Sequence, residues 1–251
     1  MDIIEITILI FAAFITSSIS AILGMGGGII LLGIMAITIP EGYKVIALHG
    51  MIQLFSNSTR TFIFRKHLKK NILNQFFWGA MLGVGLSILI IIMLIVYFNV
   101  DSANQIKIEI LKPFIGLFIF WNLFLKNSKK DTKGSSFIPA GFIAGVSSIF
   151  VGAVGPLIAP FFLKKSLTKE NIIANKAASQ IITHTSKIPL FIYFFNMDYG
   201  AEIKILGPLI IAVYVGTNFG KKILSFIPEP LFRKLFKITL FIIAIKLIVN
   251  Y

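Results

Sequence analysis

Two sets of polar residues recur in this chain at one spacing. His49, Gln53, Asn57 and Arg60 stand at i, i+4, i+8 and i+11, and Lys176, Gln180, His184 and Lys187 repeat those intervals, with Thr183 beside His184. Such spacing lays each set along one face of a helix. Amides, hydroxyls, ammonium and guanidinium groups are donors suited to an oxyanion, and arginine can grip one bidentately. All ten Asp and Glu fall at segment ends or in connections. A cation site would need negatively charged oxygen ligands, so this lining favours an anion.

Each polar set follows a glycine-rich stretch. The first is TSSISAILGMGGG at 16–28, and the second is SSIFVGAVGP at 147–156. Glycine lets a helix break. A helix restarting after Gly28 or Pro156 would aim free N–H groups and its positive end at the gap, an arrangement that suits a small anion. Gly and Ser also serve tight helix packing, but a second copy, with Ser20 matching Ser148, favours a site.

The elements carrying these residues must sit in a bilayer. At 57% hydrophobic and 14% charged, with a mean hydropathy of +0.90, the 251 residues exceed the apolar share of a soluble domain. Apolar segments run over about 3–39, 45–64, 72–98, 110–125, 137–163, 171–195, 203–219 and 232–250, several long enough to cross once. The first begins with Asp2 and Glu5 rather than a basic stretch, so it reads as retained and not as a signal peptide.

The net charge of +14 reflects topology rather than nucleic-acid binding. Sixteen of the 24 Lys and Arg fall in four patches: Arg65, Lys66, Lys69, Lys70; Lys126, Lys129, Lys130, Lys133; Lys164, Lys165, Lys169; and Lys221, Lys222, Arg233, Lys234, Lys237. The connections between them, PEGYK at 40–44, NVDSANQIKIE at 99–109 and NMDYGAEIK at 196–204, carry few net positive charges. The positive-inside rule makes the patches cytoplasmic and the other connections external.

That assignment has residues 137–163 start and finish on one side. A break near Phe150 leaves arms of roughly 13 residues, about 20 Å each and too short to cross. The first segment must likewise return to its starting side. The predicted fold is all-α and polytopic, with two inverted repeats, each a Gly-rich re-entrant or broken-helix hairpin plus three transmembrane helices. Residues 1–125 form the first repeat, 126–136 a cytoplasmic basic linker and 137–251 the second repeat. An offset of 128 aligns Ala13/Gly141, Ser20/Ser148, Gly24/Gly152 and Gly27/Gly155. An offset of 127 aligns Gln53/Gln180, Asn57/His184 and Arg60/Lys187, and the pairs Gly79/Gly83 and Gly216/Gly220 follow.

The cations differ in depth. Arg60, about five residues from a basic patch, could extend toward water; Lys176, near the start of its helix, reads as an anchor; Lys187 lies deeper and calls for a partner or ligand. His49 and His184 are the only histidines inside the expected spans. Either could couple transport to protons or serve as a neutral hydrogen-bonding residue, and His184, beside Lys187, is the better proton candidate.

GMGGG preceded by SSISAIL, its weaker second copy, the connection FRKHLKKN after the first polar helix and the two closing G-x-x-x-G helices resemble the sulfite exporter TauE/SafE family, also called toluene sulfonate uptake permeases. The resemblance covers nearly the whole chain and is most specific over 17–70. It implies a multi-pass permease of the bacterial inner membrane for small sulfur-containing anions such as sulfite, thiosulfate or organosulfonates. It implies a binding region at Gly24, Gly26, Gly27, Gly28, Gly152 and Gly155, beside the polar helices. The second hairpin departs from the family pattern, with GAVGP where GIGGG is expected.

Function classes narrow accordingly. The chain has no cysteine, no H-E-x-x-H and no paired membrane carboxylates, which argues against an enzyme. It has no nucleotide-binding loop, so ion or substrate gradients must drive it. No cofactor or metal is expected. The expected partners are a small inorganic or organic sulfur oxyanion, a coupling proton or sodium ion and the lipid bilayer, with homo-oligomerisation left open. A secondary carrier leads, and an anion channel or a transporter of another small solute is the alternative.

Overall fold

The computed structural model describes residues 3–106, 136–163 and 167–249. The expected segment 110–125, and Lys126, Lys129, Lys130, Lys133, Lys164 and Lys165 of the basic patches, lie outside them, as does nearly all of the 126–136 linker. The described residues are helical, with no strand among them. Nine α-helices among the described residues run in the order α1 (Ile3–Leu23), α2 (Gly27–Thr38), α3 (Gly42–Ile63), α4 (Lys70–Phe98), α5 (Ile138–Val151), α6 (Gly155–Phe162), α7 (Lys169–Phe195), α8 (Ile203–Leu224) and α9 (Glu229–Val249).

Their boundaries follow local chemistry. Thr168 and Asn171 form a capping box that starts α7: the Thr168 hydroxyl accepts from the Asn171 N–H at 3.2 Å, and the Thr168 N–H donates to Asn171 Oδ1 at 3.4 Å. Asn99 and Asn196, both left-handed, close α4 and α7. The two glycine-rich stretches break as expected, at residues 24–26 and 152–154. The second break falls just beyond Phe150, where it was expected, because Gly152 rather than Phe150 can take the required φ of +76°.

The hairpin arms are unequal. α1, with 21 residues, is about 31 Å long, whereas the 12 residues of α2 span about 18 Å. α5 has the expected length at 14 residues, but α6 has only 8 rather than about 13, or about 12 Å. Pro160 removes a hydrogen bond from this short helix, and the chain leaves it at Leu163.

Helices pack across the two halves of the sequence. α1 lies along α8, α5 along α4, and α3 along α7. Backbones touch in the first two pairs. A Cβ added to Gly79 would lie 2.1 Å from the Ile138 carbonyl oxygen, and one on Gly145 would lie 2.4 Å from that of Ala80. In the other pair, a Cβ on Gly220 would lie 2.4 Å from the Ser18 carbonyl oxygen. Hydroxyls reinforce both seams: Ser18 donates to the Gly216 carbonyl at 3.0 Å and Ser87 to that of Val146 at 3.0 Å. The G-x-x-x-G pairs therefore serve close packing, the use their spacing suggests.

α3 and α7 run antiparallel. Asn175, early in α7, donates to the carbonyl of His67, just past the end of α3, at 3.0 Å and accepts from the Lys69 N–H at 2.7 Å. Toward the start of α3, Gly50 faces the side chain of Lys187, late in α7. At the opposite end from Asn175, Lys44 and Glu202 form an ion pair at 2.6 Å that joins the starts of α3 and α8.

The surface is apolar as well as the core, and a set of polar and charged side chains is buried. Phe11, Trp78, Leu82, Met93, Ile211 and Tyr214 stand exposed, whereas Arg60, Lys176, Lys187, Asn57 and His184 are buried. α1, α4 and α8 are long and apolar enough to cross a membrane. Water would not tolerate such a surface, and a bilayer would. α3 and α7 have similar lengths but carry their polar stripes inward.

Candidate functional site

The two hairpin breaks and the two polar helices meet at one cavity. It is lined by Ser20, Met25, Gly26, Gly28 and Ile29 of the first hairpin, Ala153, Gly155 and Pro156 of the second, His49, Gln53 and Arg60 of α3, and Lys176, Gln180 and His184 of α7. About 20 Å3 of it is open to the centre of a water molecule, room for about one water. No Asp or Glu lines it.

Each break positions the residues around it. Gly24 and Gly26 take φ of +72° and +94°, which turns the chain between α1 and α2. The first N–H groups of α2 have no acceptor within the helix, since its bonding begins with Ile30 donating to the Gly26 carbonyl at 3.2 Å. Gln53 lies against this start, 3.4 Å from where a Cβ on Gly28 would be. The second break mirrors the arrangement: a Cβ on Gly155 would lie 3.1 Å from Gln180 Nε2 and 3.3 Å from Lys176 Nζ. Contact with the glutamines thus pairs Gly28, rather than Gly27, with Gly155. Val154 stands where the family pattern has glycine, but it has right-handed helical dihedrals and needs none. Pro156 fits the first turn of α6, where its missing N–H breaks no helical bond.

The cations are tethered to backbone carbonyls. Lys176 Nζ donates to the Gly24 carbonyl at 2.8 Å, and Lys187 Nζ to that of Gly152 at 3.2 Å. Each ammonium thereby caps the carbonyl-rich end of a hairpin's first arm, where positive charge is favoured. Arg60 donates through Nη2 to Asn57 Oδ1 at 2.6 Å and through Nη1 to the Ser20 carbonyl at 3.3 Å. It does not extend to water, being only 2% exposed. Lys176 is likewise no anchor at a membrane surface: at 1% exposed it faces the cavity, because α7 begins a full two turns earlier, at Lys169.

The histidines face each other with ring centroids 6.5 Å apart. His49 Nε2 lies 2.8 Å from the Gly28 carbonyl, and since a carbonyl can only accept, Nε2 donates in that contact. Nδ1 of His49 and both ring nitrogens of His184 are buried without a protein partner, as are Ser56 Oγ, Asn57 Nδ2 and Ser179 Oγ. Each such group costs about 1–3 kcal/mol unless water or a ligand meets it. Two of these residues, His49 and His184, line the cavity, and their three open ring nitrogens mark it as a place where something polar binds.

Of the residues singled out from sequence, Ser20, Gly26, Gly28, Gln53, Arg60, Gly155, Gln180 and His184 line the cavity. Gly24, Asn57, Gly152 and Lys187 stand one bond behind, as carbonyls or tethers. Gly27, Ser148 and Thr183 hold the frame. Gly27 admits the Thr16 carbonyl of α1, and the hydroxyls of Ser148 and Thr183 donate to carbonyls of their own helices at 3.1 and 3.0 Å. His49 and Lys176 join the lining although neither belonged to the candidate binding set. Their place at the head of each stripe was the signal that could have included them.

No curated protein and no solved structure matches this chain. Residues 9–247 match the family described as Sulfite exporter TauE/SafE. A chain with lipid-suited helices, a buried cationic cavity between two glycine breaks and a family match over nearly its whole length belongs to the Sulfite exporter TauE/SafE family, and it is an integral membrane transporter of a kind that generally moves sulfur compounds.

Proposed function

We propose that this protein is a multi-pass secondary permease of the bacterial cytoplasmic membrane that carries small sulfur-containing anions such as sulfite, thiosulfate or organosulfonates by alternating access. The observation that carries this reading is the cavity itself: cations and amide donors from both halves surround it, and no carboxylate does. The anion is held near the midplane, against the starts of α2 and α6 and the inner faces of α3 and α7. The two halves, 1–125 and 137–251 around the basic 126–136 linker, are inverted repeats with re-entrant or broken-helix hairpins. The crosswise pairing of α1 with α8 and α5 with α4 supports this. So does the sidedness of the connections, with Lys44 meeting Glu202 at one end and Asn175 meeting His67 at the other.

A carrier accounts for the cavity better than a channel, because the space has room for only about one water. The binding set is Ser20, Gly24, Gly26, Gly27, Gly28, Gln53, Asn57 and Arg60 with Ser148, Gly152, Gly155, Gln180, Thr183, His184 and Lys187. A proton or sodium gradient drives the cycle, and His184 is the proton candidate. If His184→Gln leaves the pH dependence of uptake unchanged, that role is gone.

The test is uptake of radiolabelled sulfite and thiosulfate into proteoliposomes under imposed proton and sodium gradients. Saturable uptake with counterflow, lost in folded Arg60→Ala and Lys187→Ala, is expected. Non-saturating flux would favour a channel, and no uptake of either anion by folded wild type would overturn the substrate class.

A further inference from the structure

Lys176 heads the second polar stripe but reads from sequence as an anchor, yet its ammonium is one of two cations at the cavity wall. The other is Arg60. The first comes from α7 and the second from α3, so each half supplies one. Both are almost completely buried. The seven described carboxylates, Glu5, Glu41, Asp101, Glu170, Asp198, Glu202 and Glu229, all lie in connections or the first turns of helices, so none stands between the two cations. An ion pair would have satisfied them internally. Among the described residues no carboxylate neutralises either cation.

We propose that Lys176 is a second substrate-binding cation and that, together with Arg60, it selects doubly charged sulfur oxyanions over singly charged ones. This rests on the transporter reading above and deepens it. The tether to Gly24 uses one of the three ammonium N–H groups, leaving two for the anion. The absence of a side chain at Gly155 keeps that ammonium open to the start of α6, since a Cβ there would stand 3.3 Å from Nζ. Gln180, one turn along α7, adds an amide donor on the same wall. A dianion matches an ammonium and a guanidinium charge for charge. A monoanion would leave one of them buried and uncompensated.

A lysine that merely capped α1 would affect every substrate alike, and that difference is the test. Thiosulfate, a dianion, and methanesulfonate, a monoanion, are compared as labelled substrates in proteoliposomes containing wild type, Lys176→Gln or Lys176→Arg. Wild type is expected to have a KM for thiosulfate at least about 10-fold below that for methanesulfonate. Lys176→Gln should raise the thiosulfate KM by about 10-fold or more while moving that of methanesulfonate by less than about 3-fold, and Lys176→Arg should restore the preference. Equal losses for both anions in Lys176→Gln would overturn the proposal. If that variant does not fold, wild type alone decides: thiosulfate must raise its melting temperature at concentrations where methanesulfonate does not, and equal stabilisation by both overturns charge selection. Uptake of both anions without preference sinks this inference and leaves the permease standing, whereas uptake of neither sinks both.

Discussion

A single methyl group at Gly27 should open the first hairpin. A Cβ built there lies 1.7 Å from the Thr16 carbonyl oxygen, 2.6 Å from its carbon and 2.7 Å from Ser20 Oγ. Ordinary contact begins near 3.4 Å, so α1 and α2 would have to part by about 1.5 Å or more. The obstacle is helix backbone, which cannot rotate away as a side chain would. Gly27→Ala should therefore cost about 3 kcal/mol or more, the upper end for overpacking, and lower the melting temperature by roughly 6–12 °C for a chain of this size. Gly28→Ala is the matched control. Its Cβ would meet Gln53 at 3.4 Å, an ordinary contact at the cavity wall. That variant should melt within about 2 °C of wild type and lose anion uptake. Thermal unfolding of detergent-purified protein, followed by proteoliposome uptake, measures both. The reasoning fails if Gly27→Ala melts with wild type and transports normally.

Other substitutions probe separate parts of the structure. Gly145→Leu should separate α5 from α4, where the Ala80 carbonyl would lie 2.4 Å from the new Cβ, and should be visible as loss of a monodisperse peak in size-exclusion chromatography. Thr168→Ala removes the capping box of α7 and should cost about 1 kcal/mol in thermal or denaturant unfolding, with transport retained. Tyr199 lies in the connection between α7 and α8, its hydroxyl buried without a protein partner and its pKa raised by desolvation. Tyr199→Phe should therefore be neutral or stabilising by up to about 1–2 kcal/mol in the same assay, and its spectrum should lack a tyrosine that resists ionisation at pH 11 in wild type.

Much of the scaffold was legible because the bilayer imposes a simple code. The apolar segments at 45–64, 72–98, 171–195 and 203–219 became α3, α4, α7 and α8 within a few residues. The glycines fixed both breaks closely, since positive φ at Gly24 and Gly152 is open to few other residues. The i, i+4, i+8, i+11 spacing put Gln53, Arg60, Gln180 and His184 on inward faces, where they line one cavity. Hydrophobicity could not give the length of α6, because the break takes up residues 152–154 and the helix starts only at Gly155, within a segment that is apolar throughout.

An all-helical chain suited to lipid, its two broken segments and its two stripes of anion donors could be read without coordinates, because periodicity and composition are local properties. What those donors touch depends on how distant helices pack. Sequence distance from a basic patch suggested that Arg60 reaches water and that Lys176 anchors a helix end. Instead, the antiparallel contact of α3 with α7 turns both inward, and carbonyls of a distant hairpin, at Ser20 and Gly24, receive them. A buried charge is placed by the partners that make its burial tolerable, and those partners lie 40 and 152 residues away along the chain.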